Sequence, residues 1–321
     1  MGDRIAARRD PFRPLVWGAS LVLFLAAAAL GSGRLPESMA WAAVPFLTLA
    51  AVLAVAAVVE LLGVFRWLAA ALVPERSRWP STFVGVLAFT ALVSGLVNLD
   101  VAVVVAMPVA IGSARRLGGD AARVAVAVAI TANAASILLP TSNLTTLLVL
   151  SGSRMGVGAY LRNSWAAWVA VVGSTIGLLT LVLARPGPAA APGKGDVGAM
   201  LRAVPDLVPM FLAASAVRAI IGNVVLGGSF PGLTVRASLL AAMVNNLPAA
   251  AATRVAAGSP PWAAILGMAI GPNLVLTGSV ATVICRRIAR EAGTNLPALT
   301  FSLVGLVLVP VQLLLALACS T

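Results

Sequence analysis

Histidine is absent from all 321 residues, so the chain has no imidazole to shuttle protons and no His-based metal site. Charge is scarce as well: only 10% of residues are Asp, Glu, Lys or Arg, too few for the surface of an ordinary water-soluble domain. Cysteine is limited to Cys285 and Cys319, near the ends of separate apolar segments. Two such residues provide no disulfide framework and read as small buried apolar side chains, with a thiol for a soft substrate as the alternative. With no His, no metal-ligand cluster and no nucleophile–base pair, neither an enzyme nor a cofactor nor a resident metal is expected.

What fills the chain is apolar. Sixty per cent of residues are hydrophobic and the mean hydropathy is +1.03, the signature of an integral membrane protein. The net charge of +12, from 22 basic and 10 acidic residues, would need a soluble basic face to serve nucleic acid. A cytoplasmic excess of Lys and Arg explains it better, so no nucleic-acid partner is expected.

Segments long enough for a bilayer at ~1.5 Å per residue fall at 15–31, 39–64, 123–150, 164–184, 204–226, 262–285 and 297–318. The basic leader resembles a signal peptide, but no small-x-small cleavage site follows. It is read as part of an uncleaved first helix with its N-terminus cytoplasmic. Residues 81–113 and 233–258 each carry a polar break near the middle, at Asn98 to Asp100 and Asn245 to Pro248. The arms are about ten to seventeen residues long, which suits a re-entrant hairpin entering and leaving on one side. If both hairpins are re-entrant and open to opposite sides, most of the basic residues fall in the cytoplasm, including Arg115, Arg116, Arg286, Arg287 and Arg290; a simple span at 81–113 weakens that bias. Between the second helix and the first hairpin, 65–79 places Trp67 and Trp79 beside Arg66, Arg76 and Arg78, as in an interfacial helix, with an ordinary loop as the alternative. Gly173 and Gly177 have the small-xxx-small spacing of close helix contacts.

The chain also echoes itself. Laying PTSNLTTLL (140–148) on LTGSVATVI (276–284) matches Thr141 with Thr277, Asn143 with Ser279 and Thr146 with Thr282 without a gap. Upstream, GLVNLDVAVVVA (95–106) on AMVNNLPAAAAT (242–253) matches Asn98 with Asn245. Two polar breaks recurring in one order indicate an internally duplicated transporter. The expected fold is therefore an all-α polytopic membrane protein of two inverted repeats, each with a re-entrant hairpin and a broken transmembrane helix. Residues 1–184 form the first repeat, 185–200 a Pro/Gly/Ala-rich linker and 201–321 the second.

Each broken helix contains a proline, Pro140 or Pro272, that cannot donate a hydrogen bond and would clash with the carbonyl of Ser136 or Met268 in a continuous helix. Around the breaks stand Asn133, Thr141, Ser142 and Asn143, and Asn273, Thr277 and Ser279. Hydroxyls and amides donate and accept, so they suit a neutral polyhydroxy solute or a cation; the alternative is that each bonds back to its own helix. The arms after Asn98 and Asn245 begin at the hairpin tips, aiming free N–H groups at the membrane middle. Asp100 is the one acidic residue deep in this core. It reads as a proton or ion relay, or as a cap accepting backbone N–H bonds. Arg218 reads as structural.

ANAASILLPTSNLTTLLVLSGSRMGVGAYLR (132–162), VNNLPA (244–249) and GPNLVLTGSVATVI (271–284) closely resemble the ArsB-type arsenite and antimonite efflux permeases of the ion-transporter superfamily, which also holds divalent-anion/sodium symporters and sodium/proton antiporters. The resemblance runs from about residue 81 onward. It implies a mobile unit of two hairpins and two broken helices, an outer scaffold that often dimerises, elevator-like movement and proton-driven export. Asn98, Asp100, Asn143, Asn245, Asn246, Asn273, Thr277 and Ser279 match the family's pocket-forming motifs. The first hairpin reads NLD, separating Asn98 from Asp100 where the better-known pattern has the two adjacent. The expected function is plasma-membrane, proton-coupled efflux of arsenite, antimonite or a similar small oxyacid, with H+ exchanged at Asp100. The rivals are a sodium-coupled carrier of carboxylates or other anions, a sodium/proton antiporter, and a non-transporting receptor or scaffold.

Overall fold

The computed structural model describes residues 12–30, 33–64, 67, 70–71, 78–187, 207–221 and 224–320. Residues 1–11, most of 65–77 and the linker from 188 onward lie outside these. The chain is overwhelmingly helical. In the first part, α1 (Phe12–Ala29) and α2 (Leu35–Leu61) precede a pair folded back on itself, α3 (Trp79–Leu96) and α4 (Leu99–Leu117). Next come α5 (Ala121–Ala135), a 3-10 turn (Pro140–Ser142), α6 (Leu144–Ser151) and α7 (Val157–Leu183). The later part opens with α8 (Leu207–Ile221) and repeats the series: the pair α9 (Phe230–Val244) and α10 (Asn246–Ala252), then α11 (Pro261–Ile270), a 3-10 turn (Gly271–Leu274), α12 (Val280–Glu291) and α13 (Ala298–Ala318). Among the described residues, α3, α7 and α13 are long and apolar enough to cross a membrane, a composition compatible with a membrane protein.

Helix ends follow local chemistry. Asp120 starts α5 by accepting from the N–H groups of Ala122 and Arg123 at 2.9 and 3.1 Å, and pairs with the Arg123 guanidinium at 3.1 Å. Gly118 closes α4 in the left-handed region, φ 68°, where glycine carries no Cβ penalty. Leu139, preceding Pro140, is extended at φ −113°, ψ 150°, as the proline ring demands of its neighbour.

Packing crosses between the two series. Within each, the first arm of the folded-back pair lies on the helix before the break, α3 on α5 and α9 on α11. The second arm lies on the helix after the other series' break: α4 packs on α12, and α10 on α6. Helices α7 and α13 pack together, joined by a buried bond from the Gln312 amide to the Thr175 hydroxyl at 2.8 Å. Helices α1, α2 and α8 form a further group that meets the rest through α8 against α10 and through α2 against α6 and the first 3-10 turn.

The structure departs from the expected elements in two places. The helix expected to run to 226 ends at Ile221, and Val224–Leu226 is a strand paired in parallel with Thr253–Val255. That second strand also cuts the helical return of the later pair to seven residues. The β-branched residues Val224, Val225, Thr253 and Val255 favour extended backbone. Trp79, expected at an interface, is instead only 7% exposed and donates its indole N–H to the Arg185 carbonyl at 3.1 Å. It lies so close over Gly119 that any Cβ there would enter its ring. The two prolines sit where the helices are interrupted, free of the clash a continuous helix would bring: Pro140 follows an extended residue after α5 has ended, and Pro272 lies within a 3-10 turn.

The second break is held by close approach. A Cβ on Gly305 of α13 would overlap the Asn273 carbonyl oxygen. Gly305→Ala is expected to lower the unfolding free energy of detergent-purified protein by about 1–3 kcal/mol. Gly173→Ala in α7, where nothing lies within 4 Å of the added carbon, is expected to be neutral or to stabilise by up to ~1 kcal/mol. Equal thermal shifts for the two variants would refute the packing argument.

Candidate functional site

The matched asparagines make the same two bonds. Asn98 accepts from the Asp100 N–H at 2.8 Å through its side-chain oxygen and donates through its amide to the Thr141 carbonyl at 3.1 Å. Asn245 accepts from the Leu247 N–H at 3.1 Å and donates to the Thr277 carbonyl at 2.8 Å. Each side chain thus caps the arm after its own tip and fastens that tip to the neighbouring break. The tips differ in backbone. Asn98 is extended at φ −171°, whereas Asn245 is the one non-glycine residue described with positive φ, at 89°. A local bond helps hold that conformation: the adjacent Asn246 N–H donates to the Gly278 carbonyl at 2.8 Å.

The first break is satisfied from α7. Tyr160, Ser164 and Trp168, four residues apart on one helix face, donate to the carbonyls of Ile137, Leu138 and Ala135 at 2.8, 2.8 and 2.9 Å. Inside the break, the Ser142 hydroxyl reaches the Ser136 carbonyl at 2.7 Å and the Asn143 amide reaches the Ser136 hydroxyl at 2.9 Å. Asn143 then caps α6 through its oxygen, accepting from the Thr145 N–H at 3.0 Å and hydroxyl at 2.8 Å. Asn133 crosses to the other series, donating to the Asn273 side-chain oxygen at 3.0 Å and the Thr282 hydroxyl at 3.1 Å.

These arrangements bring four helix starts to one cleft. Leu99 and Asp100 of α4, Leu144 and Thr145 of α6, Asn246 and Leu247 of α10, and Val280 and Ala281 of α12 line it, with the caps Asn143 and Ser279 and with Met210 of α8. The cleft is narrow and partly open, far smaller than the pocket of a drug-sized ligand. Helix starts carry unpaired N–H groups and partial positive charge, with the seven-residue α10 the smallest contributor. Against that field stands one carboxylate. The side chains of Asp100, Asn246 and Ser279 make no hydrogen bond with the described residues, leaving a carboxylate, an amide and a hydroxyl available to a solute.

Of the residues expected at the site, Asp100, Asn143, Asn246 and Ser279 line the cleft. The others do not. Asn98, Asn245 and the carbonyls of Thr141 and Thr277 form the tip locks, Ser142 braces the break, and Asn133 and Asn273 form the crossing bond. Leu99, Leu144, Thr145, Leu247, Val280 and Ala281 join the lining because they follow the caps. Met210 lies on a helix without a polar break, which left it outside the sequence-based set. Arg218, on the same helix, donates to the Ala251 carbonyl at 3.3 Å and lies 4.0 Å over the Trp41 ring. Cys285 is fully buried.

No protein-family model matches the chain, and no curated protein sequence does. Removing a donor from the α7 face leaves a carbonyl without its partner, at about 1–3 kcal/mol. Tyr160→Phe and Ser164→Ala are each expected to lower the detergent-solubilised protein's melting temperature, while Trp165→Phe, on the 63% exposed side of the same helix, leaves it unchanged. A Tyr160→Phe protein as stable as the parent would remove the donor role.

Proposed function

We propose that the chain is a secondary membrane transporter of a small oxyacid, built as two inverted repeats, with Asp100 exchanging the coupling proton. The observation that carries this reading is the pair of matched locks, Asn98 to Thr141 and Asn245 to Thr277, which bring four helix starts around one carboxylate. The likeness of 132–162, 244–249 and 271–284 to arsenite permeases supports arsenite or antimonite as cargo and outward movement by an elevator-like mechanism. A neutral trihydroxy solute matches the available groups, since its hydroxyls can donate to Asp100 and accept from Asn246, Ser279 and free backbone N–H groups.

The membrane setting is supported by the outward side chains. Leu181 of α7 is 79% exposed, and Leu299 and Leu314 of α13 are 72% and 67%, an arrangement that suits lipid. The re-entrant reading is supported by the pairing of second arms. Helices α4 and α12 run from the cleft to Arg115, Arg116, Arg286, Arg287 and Arg290, and the Arg115 guanidinium donates to the Ala292 carbonyl, tying the two basic ends together on what we take as the cytoplasmic side. Helices α6 and α10 run from the cleft towards Arg154 and Arg254. The folded-back pairs then open to opposite faces.

In a cysteine-free background, cysteines at Arg116 and Arg290 are expected to react with a membrane-impermeant thiol reagent from the cytoplasmic side, and one at Arg154 from outside. Labelling of Arg116→Cys and Arg290→Cys from opposite sides would end the topology. For function, inside-out vesicles carrying the protein are expected to accumulate arsenite or antimonite when a proton gradient is imposed. Asp100→Asn abolishes that accumulation while the protein remains folded, and Asp100→Glu retains part of it. Accumulation that follows sodium and ignores the proton gradient selects the sodium-coupled alternative, and unchanged gradient dependence in Asp100→Asn removes the carboxylate from the mechanism.

A further inference from the structure

We infer that Met210 sets which solute the cleft prefers, adding a soft, polarisable group to a lining that otherwise offers hydrogen-bonding groups and so favouring a soft trivalent centre over a hard one of the same size. This rests on the transport reading above. Ten of the eleven lining residues are helix starts or the caps before them; Met210 alone comes from elsewhere, on α8, and supplies the one sulfur in the lining.

Its position is fixed from two directions. Helix α8 packs on α10, on α1 and on α2. Eight residues beyond Met210 on the same broad face, Arg218 bonds to the Ala251 carbonyl near the end of α10 and covers Trp41 of α2. That contact holds α8 alongside α10, whose first turn carries Asn246 and Leu247 on the cleft. Met210 is partly buried and packs against the main core, so its thioether meets the cleft from a supported helix.

The lining then combines two chemistries. Asp100, Asn246 and Ser279 offer hard oxygen and nitrogen groups, and the helix starts offer N–H donors. In the same lining, a thioether offers dispersion and a weak sulfur acceptor, on an unbranched side chain that adapts to irregular shapes. A pyramidal trihydroxy solute has both requirements in one molecule: hydroxyls for the first and a polarisable centre for the second. A leucine at 210 keeps the volume and removes only the sulfur.

The experiment compares the unsubstituted protein with Met210→Leu and Val208→Ala in inside-out vesicles, measuring initial rates against antimonite and arsenite concentration under one imposed proton gradient. Met210→Leu is expected to raise the half-saturating concentration roughly three- to tenfold for antimonite, less for the harder arsenite, with little change in maximal rate. Val208→Ala, on an exposed position of the same helix, is expected to match the unsubstituted protein and so separates loss of sulfur from disturbance of α8. Unchanged half-saturation for both solutes in Met210→Leu overturns the inference while leaving the transport reading intact, as does an equal shift for the two. No gradient-driven accumulation of either solute by the unsubstituted protein overturns the transport reading and this inference with it.

Discussion

A helix interrupted inside an apolar protein exposes carbonyl and N–H groups that water cannot reach, and each one left unpaired costs several kcal/mol in hydrocarbon. The rest of this structure is arranged around that constraint. At the first break, the freed carbonyls of Ala135, Ile137 and Leu138 are met by three side-chain donors on one face of α7. At the second, α13 approaches so closely at Gly305 that backbone lies against backbone. The same place in the two series is held by polar side chains in one case and by absence of a side chain in the other. The starts of the helices after the breaks and tips line the cleft, where the first turn of a helix has N–H groups without an intrahelical partner.

The asparagine locks show why short amides recur at these positions. One side chain serves two orphaned groups at once, accepting from an N–H two residues on and donating to a carbonyl of the adjacent break. A serine or aspartate could cap the helix but would not supply the second donor in that geometry. The lock therefore couples the position of each tip to the position of its break. Because α4 then packs on α12, and α10 on α6, neither series can set its own half of the cleft without the other.

Much of this was legible in the sequence because it depends on local polarity. The two gapless matches, PTSNLTTLL on LTGSVATVI and GLVNLDVAVVVA on AMVNNLPAAAAT, place helix starts in register: α6 begins at Leu144 and α12 at Val280, α4 at Leu99 and α10 at Asn246. Asn98 and Asn245, paired by that match, do the same work in space. Features that depend on long-range partners were harder to read. Polar side chains cannot by themselves announce whether they line a cavity or brace it, and Asn133, Ser142 and Asn273 turned out to brace it. The Tyr160, Ser164 and Trp168 spacing in an apolar helix was a readable signal of a donor face, since each polar atom there needs a partner. Met210 was not readable at all: it is an apolar residue in an apolar helix, and only the packing of α8 on α10 brings it to the cleft.

The two series share an element order and a tip lock and differ in chemistry. Where the matched tips place Asp100 in one, the other has Leu247; where the second has Asn246, the first has Leu99. A cleft formed by two equivalent halves thus carries its carboxylate on one half and its free amide on the other. On the transport reading, that inequality separates two tasks. The half with Asp100 can change charge as a proton comes and goes, altering the balance with the positive helix starts around it. The half with Asn246 keeps the same hydrogen-bonding capacity in either state and can hold a neutral solute throughout. A symmetric pair of carboxylates would repel one another across so small a cleft, and a symmetric pair of amides would leave no group to exchange a proton. On that reading, divergence at two neighbouring positions of the matched tips gives one fixed half and one switchable half.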